Sequence, residues 1–327
     1  MRVPKFEYLE PQTIEQACSL LAEHDGQARL LAGGTDLLVL MKLRVETPQY
    51  LINLKRIKGL DELSDSPQDG LRIGPLNTLR SLAESPLLRE KYPVLAQSAG
   101  AVASPNIRNT ATIGGNLCLD AKCWYYNQSE FFRAGRTPCF KRGGEQCYVV
   151  KGGKFCYALV AADTVAALIA LDARAKVVSS QGERTIPVAE FFTGKGETVN
   201  VLTPREVVTE IQVPAQPAGT TSAFIKQAFR RSIDFAITSA AAVLTRDADG
   251  TCQSARIALT AVSNAPVKAV KAAELLKGKR IDEGLAAEAG QAAVSESRPI
   301  SAIWTSVYHR RAVIGTLVKR AILQANA

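Results

Sequence analysis

The chain has 327 residues, of which 46% are apolar, 22% charged and 6% aromatic, a globular composition with material for two or three domains that excludes a disordered or fibrous protein. The formal net charge of +9 is by itself the mark of a solvated surface and no sign of a nucleic-acid partner. No run of about 18 apolar residues is present and the first eight residues lack an apolar signal core, so the expectation is a cytoplasmic protein without a membrane span.

In chain order, Thr13 and Gln16 form a capping box for a helix whose apolar stripe is Ile14, Ala17, Cys18 and Leu21. An apolar strand over 28–31 runs into Ala32, Gly33, Gly34, Thr35 and Asp36, followed by an apolar helical turn over 37–41. A strand over 50–54, a hairpin or loop over 61–70, a strand over 71–73 and helices over 78–84 and 93–101 come next. A second glycine pair stands in Thr112, Ile113, Gly114, Gly115 and Asn116. Beyond a cysteine-rich segment the pattern predicts a helix over 164–171 and strands over 175–178, 184–186 and 207–213. Residues 214–219 (PAQPAG) read as a linker. Strands over 224–229, 236–245 and 255–261 then suggest a three-stranded sheet, with helices near 266–277, 283–293 and 303–323. The class is α+β, divided into 1–217 and 218–327.

Gly33 and Gly34 sit between a strand and a helix start, where glycine permits close backbone approach and helix amides favour an anion; Thr35 adds a hydroxyl donor. Thr112 to Asn116 carry the same chemistry, and two such loops make a pyrophosphate clamp plausible. No G-x-G-x-x-G follows a strand and no G-x-x-x-x-G-K-[ST] is present, so the Rossmann and P-loop fingerprints are both missing.

In order, Leu30-Leu31-Ala32-Gly33-Gly34-Thr35-Asp36-Leu37, Thr112-Ile113-Gly114-Gly115-Asn116, Ala162-Asp163 and Ala223-Phe224-Ile225-Lys226-Gln227 resemble the FAD-binding medium subunit of the xanthine oxidase family of molybdenum hydroxylases, over nearly the whole chain. The resemblance implies a two-subdomain FAD-binding fold of the vanillyl-alcohol oxidase type (about 1–55 and 56–217) followed by a smaller domain of sheet and helices. It also implies that Leu30 to Leu37 and Thr112 to Asn116 hold FAD, with Val102 as an apolar flavin contact, Asp163 as a hydrogen-bonding acid, Val208 as a backbone contact and Lys226 as a basic contact near the flavin. The implied partners are a large subunit with the molybdenum cofactor and a small subunit with [2Fe-2S] centres, in a dimer of heterotrimers. No acid–base dyad stands out, so no catalytic residue is assigned to this chain; its chemistry belongs to cofactors.

Asn116 and Asp163 stand 47 positions apart, far beyond the short interval usual in that family, which marks residues 118–158 as an insertion. It holds Lys122, Arg133, Arg136, Lys141, Arg142, Lys151 and Lys154 against Glu130 and Glu145, and nine of the chain's twenty aromatic residues. Of the seven cysteines, Cys123, Cys139, Cys147 and Cys156 lie in it at separations of 16, 8 and 9. Four thiolates suit either a [4Fe-4S] cluster or a tetrahedral zinc ion, and no C-x-x-C pair decides between them. Cys118, against the second glycine loop, reads as a packed thiol.

The insertion resembles that of a reductive branch of the same family, whose flavin subunit carries an extra [4Fe-4S] cluster and which removes the hydroxyl of an aromatic coenzyme A thioester. That likeness implies a reduced ferredoxin as donor, docking on the basic insertion around Lys141 and Arg142, with electrons passing to FAD, [2Fe-2S] and molybdenum. The alternative is an oxidising member of the aldehyde or carbon monoxide dehydrogenase type with zinc or free thiols in the insertion. A zinc-stabilised nucleic-acid module, suggested by the basic aromatic stretch, conflicts with the glycine-loop set.

Overall fold

Three sheets organise the chain in a computed structural model that describes residues 2–301 and 305–327. The first residues of the helix expected over 303–323 lie outside the described residues.

The first sheet is parallel, in the order β1 (Glu7–Leu9), β3 (Tyr50–Asn53), β2 (Ala28–Leu31). Helix α1 (Ile14–Glu23) covers it with Ala17, Cys18 and Leu21, and the Thr13 hydroxyl accepts the Gln16 amide as its cap. Helix α2 (Leu37–Lys42) follows β2 directly.

The second sheet is antiparallel, in the order β4 (Leu63–Ser66), β5 (Gly70–Ile73), β8 (Val207–Val213), β6 (Arg174–Ser179), β7 (Gly182–Pro187). The polar stretch after residue 61 is thus a hairpin, its strands β4 and β5 in register from Leu63 with Ile73. Between β5 and β6 come the helices α3 (Leu79–Glu84), α4 (Pro86–Lys91), α5 (Pro93–Gly100), α6 (Pro105–Arg108), α7 (Ile113–Leu117), α8 (Glu130–Ala134) and α9 (Asp163–Ala170). Five of them open on a hydroxyl cap that accepts a backbone amide three residues on, at Thr78, Ser85, Ser104, Thr112 and Ser129. The second glycine pair, expected as a loop, is helical: Gly114 and Gly115 lie in the first turn of α7, and the loop proper precedes it.

The third sheet is antiparallel, in the order β12 (Val267–Lys268), β11 (Cys252–Thr260), β10 (Thr238–Arg246), β9 (Thr220–Gln227). Helices α10 (Val270–Leu276), α11 (Glu283–Glu296) and α12 (Val307–Asn326) pack on one side. Its central strand explains how the two halves of the chain are joined. In β10, Ala241 and Val243 point into the core shared with α5 and α9, while Ala240, Ala242 and Leu244 point into the core shared with α11 and α12. The two-residue period of a strand divides one continuous apolar run between two cores, as expected for a sheet covered on both faces. No described helix is long and apolar enough to cross a membrane.

The cysteine-rich segment leaves and rejoins the body through a backbone pair between Lys122 and Leu159. Here one expectation is corrected. Lys141 is no docking residue: its side chain is 5% exposed, its ammonium pairs with Asp120 at 2.8 Å and donates to the Gly196 carbonyl, and it lies over the Tyr126 ring. Arg142 spends a guanidinium nitrogen on the Arg133 carbonyl at 2.6 Å. Charges that look solvent-seeking in sequence are here fastened to the fold. Lys141 is nearly buried while Asp120 keeps contact with solvent, and a glutamate at 141 would set two carboxylates against each other, so Lys141→Glu is expected to lower the melting temperature at every salt concentration. A salt-dependent change in encounter with an acidic protein and an unchanged melting temperature would contradict this placement.

Candidate functional site

A cleft of about 550 Å³ opens where the loop after β2, the loop before α7 and the start of α9 meet, within the usual range of small-molecule sites. Leu30, Ala32, Gly33, Gly34, Thr35, Asp36 and Leu37 form one wall, Val102, Thr112, Gly115 and Asn116 another, and Asp163 lies between them. Two loops 80 residues apart in sequence are therefore brought onto one volume.

The four glycines do different jobs. A Cβ on Gly33 would lie 2.2 Å from the Thr110 carbonyl oxygen, so that glycine lets the two loops touch each other. Gly34 has φ +71°, the left-handed region that glycine enters without penalty. A Cβ on Gly114 would meet Pro75 at 2.6 Å, which makes it a packing position behind the cleft. Gly115 is exposed on the cleft, and a Cβ there meets only the Thr112 hydroxyl, at 3.1 Å. That hydroxyl accepts the Gly115 amide, while the Asn116 carboxamide oxygen accepts both the amide and the hydroxyl of Thr164, tying α7 to the start of α9.

Asp163 is the electrostatic feature of the cleft. It is 3% exposed. Its Oδ2 accepts from Lys226 at 2.6 Å, whereas Oδ1 is buried with no hydrogen-bond partner. Burial pushes its pKa up to about 6, against the pull of Lys226. Lys226 completes its coordination on the Ala101 and Asp234 carbonyls and faces a neighbouring cavity of about 470 Å³. It reaches the cleft through Asp163. A carboxyl whose folded pKa exceeds its unfolded value of about 3.9 favours folding when protonated. In the FAD-free chain its contribution is full below about pH 4 and is lost as pH rises through about 6. Urea unfolding across that window is expected to show this component in the wild type and not in Asp163→Asn; identical profiles would contradict it.

Leu31, Ile113, Gly114 and Val208 do not line the cleft. Ile113 and Val208 are core residues, Val208 opposite Val177 in the second sheet. Several wall residues carry no sequence signal: Ile107, Leu119, Asp120, Ile233 and Phe235. Ile233 and Ala103 both have positive φ, 52° and 43°, and the Ile233 amide donates to the Ala103 carbonyl at 2.8 Å. A β-branched residue in that region is an outlier costing on the order of 1–3 kcal/mol, held here to close one side of the cleft.

In the cysteine segment, burial pushes the Cys123 thiol up, the Tyr126 and Tyr125 amides pull it back by donating to sulfur, and the nearby Cys139 and Cys147 raise it again. Burial pushes Cys156 to about 12, opposed by the Ala158 amide and by Lys141 and reinforced by the neighbouring Cys123. The Val150 amide donates to the Cys147 sulfur at 3.4 Å. Cys139, Cys147 and Cys156 thus lie within electrostatic reach of Cys123, and Cys123, Cys147 and Cys156 bear amide donors. Among the described residues, however, no three His, Cys, Asp or Glu side chains are gathered as a metal ion would hold them. Cys118 lines the cleft instead, and burial alone pushes it to about 12.

Residues 4–216 match the family described as FAD binding domain in molybdopterin dehydrogenase, and residues 223–325 match the CO dehydrogenase flavoprotein C-terminal domain. The chain is 30% identical to the carbon monoxide dehydrogenase medium chain of Hydrogenophaga pseudoflava, over 98% of this chain and 96% of that one. It is also 30% identical to the 6-hydroxypseudooxynicotine dehydrogenase complex subunit alpha of Paenarthrobacter nicotinovorans, over 99% and 96%. A solved structure of the Hydrogenophaga pseudoflava carbon monoxide dehydrogenase superposes with a TM-score of 0.81, covering 99% of this chain and 98% of that one at 30% identity. The chain belongs to the FAD-binding subunits of the molybdenum hydroxylases, in the xanthine oxidase family and of the carbon monoxide dehydrogenase medium-chain type.

Proposed function

We propose that FAD lies in the cleft between the two glycine loops and that the chain passes electrons to and from a molybdenum-carrying large subunit and a [2Fe-2S] small subunit. The observation that carries this is Asp163 Oδ1, a buried acceptor without a donor at the point where both loops converge. Leaving such an atom unpaired is costly, so the site calls for a ligand with a hydroxyl or N–H there. Bound FAD supplies redox chemistry in one-electron or two-electron steps. The chain's part is to seat it: Gly33 and Gly34 shape the first loop, Gly115 leaves room on the second, Val102 and Leu37 offer apolar contact, and Lys226 keeps Asp163 oriented.

The named relatives favour a dehydrogenase-type enzyme, with the insertion as a structural addition. A second reading rests on the four cysteines of the insertion, three of which, Cys123, Cys147 and Cys156, have backbone amides donating to sulfur. Such donors stabilise thiolate ligands and tune a cluster. In this reading the four cysteines hold a [4Fe-4S] cluster, as in the flavin subunit of 4-hydroxybenzoyl-CoA reductase, and the enzyme works reductively. The exposed Arg136, Lys151 and Lys154 then offer a positive face to an acidic donor such as ferredoxin. Electron paramagnetic resonance of the anaerobically reduced protein separates the two. A reduced [4Fe-4S] signal assigned to this subunit supports the reductive type, whereas flavin reduction with only [2Fe-2S] signals and stoichiometric zinc supports the dehydrogenase type.

A further inference from the structure

The cysteine segment grips α2 at both ends. At the N-terminal end, Asp36 caps no amide with its side chain and instead accepts the Lys122 ammonium at 2.5 Å. At the C-terminal end, Arg133 donates through Nη2 to the carbonyls of Leu43 at 3.1 Å and Arg44 at 2.8 Å. Arg133 is 7% exposed and is itself braced, its other nitrogen on the Gln128 carbonyl and its own carbonyl under Arg142. Leu40 and Met41 of α2 are buried yet belong to none of the main apolar cores. Those two side chains hold one face of the short helix, and the polar fastenings hold its two ends.

Both fastenings come from one arc of the insertion. Lys122 immediately precedes Cys123, and Arg133 lies between Cys123 and Cys139. What they fasten is the element that begins in Gly33, Gly34, Thr35 and Asp36, the first wall of the cleft. We propose that Lys122 and Arg133 are positioning residues for the FAD loop, so that FAD affinity depends on order in the cysteine arc. The inference rests on FAD occupying the cleft. Linkage makes it reciprocal: whatever orders the arc strengthens FAD binding, and FAD in turn orders the arc.

The test is a titration of the purified, flavin-stripped protein with FAD, followed by quenching of flavin fluorescence. Lys122→Gln is expected to weaken FAD binding roughly tenfold, about 1.4 kcal/mol, with cooperative unfolding retained and metal content unchanged, and Lys122→Arg to restore it. Arg133→Met is expected to weaken it further. Should that variant not fold, hydrogen exchange on the wild type decides: FAD is expected to slow exchange of the amides over 122–139. Wild-type affinity in Lys122→Gln together with unaltered exchange overturns the clamp while leaving FAD in the cleft. A folded wild type that takes no FAD overturns the functional reading and the clamp with it.

Discussion

Serine at Cys123 is expected to reduce iron in the purified protein by about four atoms per copy of this chain, if the segment holds a [4Fe-4S] cluster, and the same loss is expected from serine at Cys139, Cys147 or Cys156. The reason is local. A hydroxyl is a far weaker ligand for iron than a thiolate, and the amides of Tyr125 and Tyr126 that now serve the Cys123 sulfur would be left on an oxygen that does not bind metal well. Cys118→Ser is the control. That thiol receives only the burial penalty, with no amide donor and no neighbouring cysteine acting on it, so full iron is expected to remain. Metal analysis beside an unfolding curve checks both halves. Equal iron in wild type and all four variants would remove the cluster from this chain.

Leucine at Gly115 is expected to cut FAD occupancy at least tenfold while the fold survives. The position faces the cleft, and the first added carbon meets only the Thr112 hydroxyl, so the remaining carbons extend into space that the cofactor needs. Gly33→Ala is the informative contrast. Its added carbon strikes the Thr110 carbonyl at 2.2 Å, and main chain does not yield as a flexible side chain does, so stability falls along with flavin. The pair of variants separates lost room from lost architecture. Flavin content measured against melting temperature checks it; undiminished FAD in Gly115→Leu would move the cofactor elsewhere.

The elements that the sequence made legible are those whose signal is local. The Thr13 helix cap, the strand–glycine–helix turn at 28–41 and the apolar run of β10 all appear where their local pattern places them, although the Gln16 side chain accepts the Gln12 amide and not that of Thr13. What stayed hidden depends on distant partners. Nothing near Gly33 in sequence announces that Thr110 presses against it, and nothing near Lys141 announces Asp120, 21 residues earlier, or Gly196, 55 later. Val208, expected as a backbone contact, and Ile113, in the second glycine motif, have their side chains in the core, so any contact they make with the cofactor would run through main chain. Ile233 and Phe235 reach the cleft because β9 and β10 are joined beside it, a fact of topology that no motif encodes.

The central claim is that FAD occupies the cleft formed by the two glycine loops. The measurement that bears on it most directly is the flavin released on denaturing the protein, counted per copy of this chain, for the wild type and for Gly115→Leu side by side. One FAD per chain in the wild type, with the loss confined to a variant that still melts cooperatively, is the expected result. A folded wild type without flavin, or equal flavin in both proteins, would contradict it.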